Sequence, residues 1–268
     1  MKISGSPEHV KFLRRERRTD AAVRIIQIGI LVAFLFLWEI LARTETIDSF
    51  ITSSPSKMLA TFKTISTSVW KHIGVTLYEA VLSFALATVG GTLIAIALWF
   101  SGLARRISEP YLVVLNSLPK IALGPIIIIW VGAGTGAIVV MALLISLIIT
   151  VINTLQGFVS VDPDKILLMK TFRANKLQVL LKLVLPANVP NMINCLKINV
   201  GLTWVGTIMG EYLVSKAGLG YLIVYGGQVF NLSLVMCSTF ILCVLSGGMY
   251  AIVAIIERIV NKKYGFCS

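Results

Sequence analysis

Asn199, Thr203, Thr207 and Glu211 recur every fourth residue within an otherwise apolar stretch. At 3.6 residues per turn, that spacing lays the four side chains along one slowly drifting stripe of a helix. Ser146, Thr150 and Asn153 share a face of a second apolar run, and Asn116, Ser117 and Lys120 fall in a third, which Pro119 and Pro125 interrupt. None of these sets has the order of a nucleophile beside its base, or of metal ligands. Inside an apolar helix such residues do one of two things: they line a watery path, or they hydrogen-bond one helix to another. Ser146, Thr150 and the nearby Gly206 and Gly210 are well served by the second role. Lys120 and Glu211 are costly in hydrocarbon, so the expectation is an ion pair near an outer gate, the alternative being that Lys120 faces a passing anion. Asn116, Lys120, Asn153, Asn199, Thr203, Thr207 and Glu211 are the candidate pathway residues. Lys197 reads as a snorkelling lysine, and Glu39 and Glu79 as residues at span ends.

A second constellation follows Val161: VDPDKILLMKTFRANKLQVLLKLVLPANVP. Asp162, Pro163 and Asp164 are helix-start chemistry, an acidic cap followed by a proline that tolerates the first turn. Ile166, Leu167, Leu168 and Phe172 can form one apolar side of a short helix, with Lys165, Lys170, Arg173 and Lys176 over much of the rest. The run from Leu177 predicts another short helix ending at Leu185 and Pro186, with Pro190 restarting the chain. An apolar ridge bordered by cations suits the groove of a partner with an acidic rim. The competing use is an interfacial helix that holds a loop on the membrane surface.

The elements that must position these residues are membrane spans. Apolar residues make up 57% of the 268 positions and charged residues 13%, with a mean hydropathy of +0.89. A soluble fold of that composition lacks the polar residues to cover itself. A bilayer core of ~30 Å needs about 20 apolar residues per helix. Six segments qualify: about 23–43, 74–100, 108–131, 136–157, 191–213 and 233–258. Residues 56–71 mix polar and apolar types and predict an amphipathic helix on the outer surface. With the N-terminus inside, 17 Lys and Arg residues lie on the cytoplasmic side and 5 outside, which places both termini in the cytoplasm. The expected organisation is a cytoplasmic arm over 1–22, one six-span domain over 23–260 with its cytoplasmic loop at about 158–190, and a cytoplasmic tail over 261–268.

Other chemistry is excluded. No Gly-x-x-x-x-Gly-Lys cradle is present, and the glycine-rich VGAGTGA (131–137) joins two spans without a preceding strand. His9 and His72, and the cysteines at 195, 237, 243 and 267, show no metal spacing. The net charge of +12 is sorted by membrane side rather than laid out as a basic face for nucleic acid.

The loop at 161–190 resembles the cytoplasmic loop of binding-protein-dependent ABC importer permeases. In that loop Glu-Ala-Ala precedes a glycine and, further on, Ile-x-Leu-Pro. Leu183, Leu185 and Pro186 match its end, Arg173 stands at the family's glycine, and residues 167–169 replace Glu-Ala-Ala. Pro55, Thr76–Leu77, LPKIALGPIIIIWVGAG (118–134), GLTW (201–204), Glu211 and GLGYLI (218–223) are similar to the nitrate/sulfonate/taurine branch. The resemblance implies an all-α integral membrane fold, a six-helix MetI-like transmembrane domain with a cytoplasmic coupling helix. It implies that Asp164, Leu168, Met169, Lys170, Thr171, Phe172, Arg173, Ala174, Lys176, Leu185 and Pro186 couple the spans to an ATPase. It implies no cofactor in this chain, ATP and Mg being held by the partner ATPase. Its implied partners are two ABC ATPase subunits, an extracytoplasmic substrate-binding protein and a second permease copy in a bacterial cytoplasmic membrane. The implied substrate is a small anion such as a sulfonate, taurine or nitrate, with a vitamin or pyrimidine precursor as the alternative. An ion-coupled secondary carrier is the competing class.

Overall fold

The computed structural model describes residues 7–44 and 53–264. Lys2 of the basic arm and Cys267 of the tail lie outside them. Helix α1 (Pro7–Arg43) contains the expected first span. Its Ile25, Ile28, Phe34 and Phe36 are exposed, as in a helix that faces lipid. Its outer end is tied to the next helix by Glu39, which pairs with Arg43 at 2.7 Å and accepts the Ser56 amide at 3.0 Å.

Helix α2 (Pro55–Phe100) overturns the expectation of a separate surface helix over 56–71. Ser54 caps it, accepting the Lys57 amide at 3.2 Å, and Pro55 occupies its first turn. No proline follows before Phe100, so the backbone has no reason to stop. At 1.5 Å per residue the helix is about 69 Å long, over twice the ~30 Å hydrocarbon core. One apolar face of its first half packs on protein: Val69 is buried with Leu219 and Leu222, and Phe62, Ile65 and Ile73 close around them, while Leu59 and Trp70 stay exposed.

Ser101 ends α2 and caps α3 (Gly102–Ser117), accepting the Ala104 amide at 3.2 Å. Arg105 and Arg106 therefore sit in a helix rather than a loop. Pro119 disfavours helical backbone at the residue before it, and Leu118 is extended with ψ 138°. A 3₁₀ turn (Lys120–Leu123) and α4 (Gly124–Val131) follow, at 85° to α3. The expected third span is thus broken into two arms. Gly132, at φ +89°, reverses the chain where a side chain would strain.

Helix α5 (Thr135–Val159) is the most buried span, at 50% of its apolar window. Helix α6 (Pro163–Thr171) begins as its caps predict, Asp162 accepting the Asp164 amide at 2.9 Å. After α7 (Lys176–Val179) the chain does not end at Pro186. A π turn (Leu180–Val184) carries it into α8 (Leu185–Val214). The Leu185 amide bonds to Leu180 O, five residues back, and this widened turn absorbs a proline that has no N–H to give. Helices α9 (Leu219–Gln228) and α10 (Leu232–Tyr264) complete the chain. The ten residues of α9 reach about 15 Å, half a bilayer core, and sequence patterning did not predict it as an element.

Helices α2, α5 and α8 form the centre. The bent α3–α4 unit lies on α5, α9 and α10 cover the other side of α2 and α8, and α1 packs on the outside of α2. Among the described residues, five helices are long and apolar enough to cross a membrane, and the bent pair makes a sixth apolar unit.

Candidate functional site

The stripe of α8 is inside the protomer. Asn199, Thr203 and Thr207 are fully buried, and Glu211 is 1% exposed. Asn199 Nδ2 donates to Thr150 Oγ1 of α5 at 2.6 Å and reaches Thr88 Oγ1 of α2 at 3.4 Å. One amide therefore ties the three central helices. Beside it, Gly206 and Gly210 let backbones meet: a Cβ on Gly206 would lie 2.5 Å from Ala142 Cα, and one on Gly210 would lie 2.9 Å from Ile138 Cα. Ser146 and Thr150 donate to carbonyls one turn back, at 2.7 and 2.8 Å. Lower in the bundle, Asn191 Nδ2 donates to Asn153 O at 3.2 Å. Small and hydroxylated residues in this arrangement hold helices closely together.

Lys120 and Glu211 do not pair. Lys120 Nζ folds back on its own segment, donating to Asn116 O at 2.9 Å, and Asn116 itself is exposed. The 3₁₀ segment does approach α8, Leu123 sharing an apolar cluster with Met209 and Val214, but the lysine itself is taken up by Asn116. Glu211 instead meets the start of α9. The Gly220 amide donates to its Oε2 at 2.5 Å, Leu219 N donates to Thr76 Oγ1 at 2.8 Å, and Gly218 N donates to His72 Nδ1 at 2.9 Å. Gly218, at φ +123°, brings its backbone so near the Glu211 carboxyl that a Cβ would lie 2.5 Å from it. Glu79 is also 1% exposed, and Thr135 Oγ1 donates to it at 2.9 Å. Its interfacial reading is overturned by the unbroken α2, whose extra turns before residue 74 carry Glu79 into the packed centre. The absence of any proline from 56 to 100 was the signal that could have found it. Lys197 is not a free snorkelling cation: its Nζ pairs with Glu257 at 2.5 Å.

The end of the bundle that carries α6 has a different character. Phe158 is fully buried among Val161, Val179, Leu180 and Val184, and Ile166, Met169, Ala174 and Leu185 pack on that cluster. The apolar residues of α6 therefore divide between two faces. Ile166 and Met169 seat the helix on its own chain, while Leu167, Leu168 and Phe172 point outward at 60, 56 and 75% exposure. Asp164, Lys170, Thr171 and Lys176 are exposed around them, and Pro186 lies half-buried in the first turn of α8. Asn175 and Gln178 close a reciprocal cap on α7, at 2.8 and 2.9 Å. Between the two helices Arg173 adopts φ +56°, the left-handed region that glycine occupies freely. Replacing Arg173 with glycine is expected to raise stability by about 1 kcal/mol, the cost of an L side chain in that region, read as a higher thermal midpoint of the purified protein.

A model of the family described as binding-protein-dependent transport system inner membrane component matches residues 87–265. The chain belongs to this family. Residues 87–265 run from the second half of α2 through the α6 turn and Glu211 to α10; His72, Thr76 and Glu79, which complete the Glu211 site, precede the matched stretch. This permease is 29% identical over 226 residues to a probable ABC transporter permease protein of Haemophilus influenzae, covering 84% of this chain and 91% of that one. It is 25% identical over 224 residues to the putative aliphatic sulfonates transport permease SsuC of Bacillus subtilis, covering 83% and 81%. Its fold is similar to that of a chain of the MetNI methionine ABC transporter, solved in inward-facing conformations, with a TM-score of 0.65 at 18% identity, covering 73% of this chain and 97% of that one. The protein is thus a multi-pass ABC importer permease of the bacterial inner membrane, a transmembrane subunit rather than a catalytic one.

Proposed function

We propose that this permease is driven by a separate ATPase that grips α6, and that it imports a small anion of the sulfonate, taurine or nitrate type. The observation that carries the coupling is the outward ridge of Leu167, Leu168 and Phe172 on a helix whose other side is anchored to the bundle. Large apolar side chains this exposed at the cationic, non-lipid end of a membrane bundle mark an interaction surface. Lys165, Lys170 and Lys176 border the ridge and suit an acidic groove rim. Closure of two such ATPases would push on α6, and through the Phe158 cluster on α5 and α8, opening the path alternately to each side.

The partly exposed Asn116 and Lys120 on the bent α3–α4 unit are the path-facing groups of this proposal. Asn153, Asn199, Thr203, Thr207 and Glu211 belong to the helices that must shift for the path to open. The anion rests on the SsuC likeness and on a relative named for taurine transport. A second reading has equal footing in relatives named for formylaminopyrimidine and riboflavin transport. The K/R asymmetry supports both termini inside, two permease copies would enclose the path, and ATP with Mg would sit on the ATPase alone.

Reconstitution in liposomes tests the coupling, with an ABC ATPase and a substrate-binding protein from the same organism. Uptake is expected only with ATP and both partners. Uptake by the permease alone would favour an ion-coupled carrier and end the proposal. The ligand retained by that binding protein decides between sulfonate, taurine or nitrate and a vitamin precursor.

A further inference from the structure

Glu79 on α2 and Glu211 on α8 have carboxyl groups within hydrogen-bonding reach of each other. Each has one oxygen accounted for: Thr135 Oγ1 donates to Glu79 Oε1, and the Gly220 amide donates to Glu211 Oε2. The other two oxygens, Glu79 Oε2 and Glu211 Oε1, are buried and accept no hydrogen bond, while the Thr76 hydroxyl, which takes the Leu219 amide, also lies beside the Glu211 carboxyl. Among the described residues, ion pairs join Glu39 to Arg43 and Lys197 to Glu257, and no cation reaches either buried acid. The titratable neighbours do not supply a donor. His72 Nδ1 accepts the Gly218 amide, and the Tyr212 phenol, which borders Glu211, makes no hydrogen bond to Glu211 Oε1.

Two carboxylates placed together out of water, without a cation, cannot both stay charged. An acid that keeps its proton removes one charge and also turns an orphaned acceptor into a donor. We propose that Glu79 and Glu211 bind one proton between them, with Glu79 as the neutral acid whose Oε2–H donates to Glu211 Oε1. Every oxygen is then satisfied: Thr135 serves Glu79 Oε1, Glu79 serves Glu211 Oε1, and Gly220 serves Glu211 Oε2. The single negative charge belongs on Glu211, because that carboxylate faces the first amides of α9, the positive end of a helix. The anion, Thr76 and His72 together take the Gly220, Leu219 and Gly218 amides. The proton therefore holds α2, α8 and α9 in one clamp, independent of which substrate the permease carries.

Infrared difference spectra of the purified permease in lipid nanodiscs at neutral pH test this. The wild-type-minus-E79Q difference is expected to contain the carbonyl stretch of one buried, protonated carboxyl. E211Q is expected to keep that absorption at a shifted frequency, since its neutral acid remains. Thermal unfolding supplies the second reading. Glutamine preserves the donor, so E79Q is expected to melt with the wild type, and E79A several degrees lower. No protonated carboxyl in the wild type, an unchanged band in E79Q, or an E79Q midpoint as low as that of E79A would each overturn the proposal.

Discussion

Exchanging Phe172 for aspartate is expected to abolish ATP-driven uptake while the permease remains folded in the membrane. Phe172 is 75% exposed and makes no buried contact in its own chain, so its loss removes little folding energy. On the proposed coupling surface it has the character of an interface anchor, a large aromatic side chain at the tip of a helix that its opposite face holds rigid. Truncating such an anchor costs about 2–4 kcal/mol, roughly 30- to 1,000-fold in affinity for the partner. The carboxylate adds repulsion from an acidic groove rim. Affinity of the purified ATPase for nanodisc-held permease measures it, alongside uptake. Leu168→Asp should behave alike, and Phe172→Leu should retain much of the binding. An ATPase that binds F172D as tightly as wild type would show that the motor grips elsewhere.

The second large effect is in the centre. Gly206→Val is expected to lower the thermal midpoint sharply and cut the yield of folded protein. The new Cβ would lie 2.5 Å from Ala142 Cα and 3.0 Å from its Cβ. The obstructing atom is backbone, so no rotamer change relieves it and α5 must move away from α8. Overpacking of this kind costs about 1–3 kcal/mol and occasionally more. Separation would also loosen the 2.6 Å bond from Asn199 to Thr150. Gly201→Ala on the same helix is the control, because a Cβ there meets nothing within 4 Å; its effect is expected to stay within about 0.5 kcal/mol. Equal midpoints for the two variants would show that the α5–α8 contact is looser than described.

Local chemistry was a sound guide where the answer depended on neighbours in sequence. The Asp162–Pro163–Asp164 cap started α6 as read, because N-capping is a contact of two or three residues. It misled where a local signal had two outcomes. Proline at 119 broke a helix, but proline at 186 did not, since the preceding turn could widen to the i→i+5 pattern. The mixed composition of 56–71 looked like a surface helix because pattern reports that a face is apolar, not whether lipid or protein covers it.

By itself the sequence established a bilayer as the solvent, the number of apolar segments, the cationic α6 turn and the fourfold recurrence from Asn199 to Glu211. Each of these follows from composition or helical period. Tertiary structure alone decided what those side chains meet. It buried the α8 stripe against α2 and α5, sent Lys120 back onto Asn116 and set Glu211 against Glu79 and the first amides of α9. Periodicity fixes the angle of a side chain about its own helix axis; the partner opposite is chosen by how separate helices dock, through contacts between residues far apart in the chain.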